Sequence, residues 1–140
     1  MLKEKDFRFP LTTAGIKRHV ANAGKAWHSQ AVAATSGPDQ MTCGFAGHAG
    51  RMLMVRVLFD ATPGVGESMT IDVLVGGVSI LHGGVPIALD LTNIVGKEWL
   101  ELALDSSLTN VDLGDVLTVN RTYVAGAGAL ANNVIEAYWA

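Results

Sequence analysis

From residue 25 onward, apolar and polar positions alternate in short runs, the pattern of strands with one buried face. Residues 69–75 are the clearest case. Met69, Ile71, Val73 and Val75 share one face, with Thr70, Asp72 and Leu74 on the other. Gly76-Gly77 follows, two residues able to take the positive φ of a hairpin turn, and Val78, Ile80 and His82 continue on the return. Ile87 and Leu89 mark a short strand, and Leu100, Leu102 and Leu104 against Trp99, Glu101 and Ala103 mark another. Near the end, Leu117, Val119 and Tyr123 form a core face, and residues 132–140 set Val134, Glu136 and Tyr138 opposite Ile135, Ala137 and Trp139.

Three segments are less regular. KAWHSQAVAA predicts a first strand around Trp27 and Val32, TSGPD a turn, and QMTCGF a second strand. RMLMVRVLFD is so dense in apolar residues that it predicts a central strand with both faces covered, or a strand at an interface. Tyr138 and Trp139, being adjacent, point to opposite faces, so one of them leaves the interior of its own sheet, to be covered by the arm or a neighbouring chain.

Turn signals recur about every 8 to 12 residues, and no helix-length period separates the strands. This predicts an all-β fold, an antiparallel two-sheet β-sandwich of jelly-roll or Ig-like order, spanning residues 25–140. Residues 1–24 keep no single period. Phe7, Phe9 and Leu11 alternate, Pro10 interrupts, and Thr13 can cap a helical turn running to Val20 before Gly24. They predict an N-terminal arm.

Composition agrees. Hydrophobic residues are 49% and charged residues 16%, with 16 glycines in 140 residues, as expected of a one-domain sheet protein with many tight turns. The net charge of -3 is uneven: Lys3, Lys5, Arg8, Lys17, Arg18 and Lys25 outnumber Glu4 and Asp6 at the start, leaving the remainder acidic. Six cations mixed with acids are too few for a nucleic-acid footprint. No apolar run reaches the length of a membrane span, the N-terminus lacks an apolar signal core, and Cys43 has no second cysteine to pair with.

The candidate chemistry is sparse. PGVGES resembles a phosphate loop, but Glu67 stands where a lysine is needed and a strand follows where a helix is needed, so a bend is expected. His19, His28, His48 and His82 form no close ligand pair; His48, His82 and Asp90 could meet only at long range. Cys43 with His48, and Glu98 with Glu101, are weak candidates for a thiol nucleophile and a carboxylate pair. Trp27, Trp99, Trp139, Tyr123 and Tyr138 could stack on sugars or fill the core. No cofactor or metal is expected, and the chain is not expected to be an enzyme.

The string GESMTIDVLVGGVSIL, followed by LGDVLTVNRTYVAGAG, resembles small β-sandwich structural proteins of tailed bacteriophage particles. The matching residues are Ile71, Asp72, Val73, Gly77, Ser79, Ile80 and Leu81, then Gly114, Asp115, Val116, Leu117, Thr118 and Val119, within residues 50–140. Gly76 departs from the pattern, in which a polar turn residue is commoner. The resemblance implies a virion structural protein, such as a capsid decoration or cementing protein or a head or tail fibre module. It would be made in the host cytoplasm and would bind the major capsid protein or other virion proteins. A homo-oligomer, with three-fold symmetry compatible, is expected. Lys3, Lys5, Phe7, Arg8, Phe9, Lys17 and Arg18 of the arm are then the expected partner contacts, and Met52, Met54, Tyr138 and Trp139 the expected assembly surface. The alternative is a receptor- or glycan-binding fibre module, and a small enzyme ranks below both.

Overall fold

The computed structural model describes residues 24–31, 37–128, 130 and 132–140. Apart from Gly24, the arm lies outside the described residues. So do its helical turn and Val32.

Among the described residues, ten strands follow one another: β1 (Gly24–Ala31), β2 (Gly37–Phe45), β3 (Gly50–Phe59), β4 (Ser68–Val75), β5 (Val78–Ser79), β6 (Ile87–Leu89), β7 (Trp99–Glu101), β8 (Asn110–Val111), β9 (Val116–Val124) and β10 (Asn132–Trp139). They form two antiparallel sheets. The first has the order β1-β10-β3-β7, with β8 also on β3; the second has β2-β9-β4-β5, with β6 also on β4. The chain crosses between sheets at six of its nine connections, and the pairings nest: β1 with β10, β2 with β9, then β3 with β10 and β4 with β9. That is the order of a jelly roll, which separates the two sandwich topologies that alternation alone leaves open.

The core lies between the sheets. Met69, Ile71, Val73 and Val75 of β4 are all buried, as their period requires, against Leu117, Val119 and Tyr123 of β9 and Val55, Val57 and Phe59 of β3. Gly76 and Gly77 take φ of 56° and 85°, the two positive values of a two-residue hairpin joining Val75 to Val78.

The structure departs from expectation in four places. Gly37, Pro38 and Asp39 are strand rather than turn. They open β2, which lies at a sheet edge, where a proline's missing N–H costs no ladder hydrogen bond. The return after Gly77 is strand only to Ser79, and His82 lies in a short 3-10 turn, His82–Gly84. β3 is central, yet its outward face is only half covered: Met54, Arg56 and Leu58 are half-buried and Leu53 is 56% exposed. Finally, Met52 and Met54 do not share a face. Trp139 pairs with Met52 while the adjacent Tyr138 pairs with Met54, so Leu53 is an extra residue, a bulge that turns Met52 into the core and Met54 outward.

Candidate functional site

The four residues expected to form an assembly surface are divided by this bulge. Met52 and Trp139 are each 3% exposed and belong to the chain's own core, so the expectation is corrected for these two. Met54 and Tyr138 lie on the outer face of the first sheet, half-buried. Tyr138 is thus the member of the adjacent aromatic pair that leaves the interior. The arm residues Lys3, Lys5, Phe7, Arg8, Phe9, Lys17 and Arg18 lie outside the described residues.

Around Tyr138 the outer face carries a connected polar and aromatic cluster. Arg56 on β3 is the cross-strand partner of Glu136 on β10 and of Glu101 on β7. Its Nε and Nη2 donate to Glu136 Oε2 at 2.8 and 2.6 Å, and Tyr138 Oη donates to the same oxygen at 2.7 Å. The guanidinium carbon sits 4.2 Å from the centroid of the Trp99 ring, within range of a cation–π contact. The hydrogen bond to Glu136 comes first among the causes that raise the Arg56 pKa. Strand alternation puts these residues on one face, and pairing of β3 with both β10 and β7 brings them together. Sequence reading singled out Trp99 and Tyr138 but not Arg56 or Glu136, whose only signal was a charge on the polar face of a strand.

A second cluster is internal. Glu67, the residue that spoils the phosphate-loop pattern, is 1% exposed. Its carboxylate accepts from Tyr123 Oη at 2.6 Å, from the Gly64 amide at 2.9 Å and from the Leu130 amide at 3.1 Å. The Gly64 amide that a phosphate would need is therefore spent on Glu67. Burial pushes the Glu67 pKa up, but the three hydrogen bonds, Tyr123 first, outweigh it and hold the group below its ordinary 4.5. The same bond raises the Tyr123 pKa. A Cβ on Gly64 would meet the backbone of Ala127 and Gly128, and one on Gly128 would overlap the Glu67 carboxylate and the Gly64 amide. Two glycine-rich loops thus meet at backbone contact around one buried carboxylate. The bend expected for PGVGES is present, and it is a structural joint.

His48 Nδ1 lies 3.0 Å from the Ala49 carbonyl, and its ring centroid is 5.6 Å from that of Trp139. Asp90 accepts from the amide and hydroxyl of Thr92, bonds that hold its pKa low. Among the described residues, no three His, Cys, Asp or Glu side chains gather as a metal site. Cys43 is the extra residue of a bulge in β2, and His48 is in the loop that follows. Glu98 and Glu101 are both exposed, Glu98 in the turn before β7 and Glu101 on it. A groove of about 310 Å³ is lined by Leu81, His82, Val85, Pro86, Ile87 and Ala103, among others. Among the described residues, His82 is the sole titratable side chain in that lining. Among the described residues, no helix is long and apolar enough to cross a membrane.

The residues that carry the phage-protein resemblance converge in space. Ser79 Oγ donates to Asp72 Oδ1 at 2.5 Å across the hairpin. The Gly76 amide donates to the Val116 carbonyl at 3.0 Å, and Asp115 Oδ1 lies 3.1 Å from where a Gly76 Cβ would be. Asp115 is in turn held by the Asp112 amide at 2.8 Å. This also explains the departure at Gly76: a side chain there would press on Asp115. Compared with protein-family models, curated proteins and solved structures, the chain matches none of them.

Proposed function

We propose that the chain is a structural subunit of a tailed-bacteriophage particle, a capsid decoration or cementing protein that binds the assembled shell. The observation that supports this most is the convergence just described. The two halves of the resembling pattern, residues 71–81 and 114–119, lie together at one corner of the second sheet. The jelly-roll order adds support at the level of fold analogy, since capsid proteins use it widely. In this reading the basic arm meets the major capsid protein or another virion protein. The protein is made in the host cytoplasm and resides in the virion.

The test uses assembled shells and the full chain. The chain is expected to cosediment with shells at a fixed copy number. A variant with Lys3, Lys5, Arg8, Lys17 and Arg18 changed to Glu is expected to stay in the supernatant. Absence of cosedimentation by the unaltered chain would overturn the particle reading, and equal occupancy by the two would overturn the role of the arm.

A further inference from the structure

On the outer face of the first sheet, three hydrogen-bonding groups have no partner among the described residues, beside an aromatic platform. Trp99 is 41% exposed although the Arg56 guanidinium lies over its ring. Arg56 uses Nε and Nη2 on Glu136 and Tyr138, and Nη1 has no acceptor among the described residues. The Trp99 indole N–H likewise donates to no described group. Glu101 lies directly across from Arg56, a pairing that sets their Cβ atoms about 5 Å apart. Arg56 nevertheless takes Glu136, and the exposed Glu101 carboxylate makes no ion pair among the described residues. Trp99 and Glu101, two residues apart on β7, share the face.

We infer that this face is a saccharide-binding platform, with Trp99 as the stacking surface and Arg56 Nη1, the Trp99 indole N–H and the Glu101 carboxylate as the groups that read the hydroxyls. A pyranose ring is itself two-sided, with a face of C–H groups and a rim of donors and acceptors. It needs an aromatic plane with donors and an acceptor at its margin, and these are the groups left open. Two other ligand classes fit less well. A cation stacking on the indole would find Arg56 already on the ring, with a like charge behind it. A protein partner would bury the Glu101 carboxylate in the middle of its contact, whereas interface cores are depleted of charge. The platform is also held in place: Arg56 is fixed by Glu136 and Tyr138, which spares a ligand the cost of ordering it. The inference is independent of the particle reading, because shell occupancy and sugar binding are measured separately.

The experiment presents the full chain to a glycan array and to soluble hexamers of β-1,4-glucose, β-1,4-N-acetylglucosamine and α-1,4-glucose. Trp99 is followed through its indole N–H resonance in ¹⁵N-labelled protein. At least one saccharide is expected to bind and to shift that resonance. Trp99→Ala is expected to weaken binding at least ~10-fold and Glu101→Gln several-fold, a loss of about 1.4 kcal/mol per decade. Trp99→Phe is expected to retain part of the affinity. Glu101→Gln and Trp99→Phe are conservative changes at exposed positions and are expected to fold as wild type, so a misfolded alanine variant would not obscure the result. Binding to no saccharide, or binding unchanged by Trp99→Phe and Glu101→Gln together, would overturn the inference. A Trp99 resonance that moves with protein concentration alone would instead assign the face to a second copy of the chain.

Discussion

The Tyr123 hydroxyl donates a 2.6 Å hydrogen bond to Glu67 Oε1, joining residues 56 positions apart in a site that is almost closed to water. Bonds to a charged acceptor in such a place are worth more than neutral ones, because neither group has water to fall back on. Tyr123→Phe is expected to cost about 1.5–3 kcal/mol and Glu67→Ala about 3 kcal/mol or more, the latter orphaning the Gly64 and Leu130 amides as well. Urea unfolding of the two variants measures both.

The Glu67 carboxyl also sets a pH response. Its folded pKa lies below the ordinary 4.5, so the unfolded chain binds the proton more readily. The stability it contributes is fully present above about pH 4.5 and is lost as pH falls through the folded value. Thermal midpoints are expected to decline below pH 4.5, and Glu67→Gln is expected to flatten that part of the profile while lowering stability at pH 7. A wild-type curve and a Glu67→Gln curve of equal slope below pH 4.5 would refute the assignment.

Gly128 is required by space. A Cβ there would overlap Glu67 and the Gly64 amide, and the Gly64 contact is backbone, which cannot swing aside. Gly128→Ala is expected to cost about 1–3 kcal/mol. Gly47→Ala, where a Cβ meets nothing within 4 Å, serves as the comparison and is expected to stay near wild type in the same unfolding assay.

At the Gly76-Gly77 hairpin, local and tertiary preferences conflict. Asn ordinarily suits the first position of such a turn, yet the Asp115 carboxylate lies 3.1 Å from the Cβ position. Gly76→Asn is therefore expected to destabilise by about 1 kcal/mol in spite of its turn chemistry. In a double-mutant cycle with Asp115→Ala, the two changes are expected to be less than additive, which additive losses would contradict.

Arg56→Met removes the guanidinium from a Glu136 carboxylate whose side chain is 9% exposed. The expected loss is about 1–3 kcal/mol, most of it from removing the cation that faces that carboxylate. Lys at this position is expected to rescue poorly, since the two donors to Oε2 and the stack on Trp99 use the planar fork. Denaturant midpoints of the Met and Lys variants check both statements.

Much of the fold was legible because alternation is a local property. Met69 to Val75 read as one buried face and are one, and Gly76-Gly77 read as a hairpin because few other residues accept two positive φ angles in succession. The outer-face cluster was half legible. Trp99 and Tyr138 stood out as aromatics, but Arg56 and Glu136 looked like any solvated strand charges, since their meeting depends on which strands become neighbours. Arg121 is a sharper case: it lies 2% exposed on a strand whose core face was read as Leu117, Val119 and Tyr123, and charge alone argued against placing it inside.

The amino-acid sequence by itself determined the strands, the hairpin and the all-β class, because period, turn chemistry and composition act over a few residues at a time. The pairing of strands was decided by tertiary structure, and so was everything that pairing controls. The jelly-roll order needs contacts over a hundred residues apart, such as Gly24 with Trp139. The bulge at Leu53, which sent Met52 inward and Met54 outward, exists only relative to β10. Glu67 became a buried joint because a second glycine loop came close enough to enclose it, and no property of residues 62–67 alone specifies that loop.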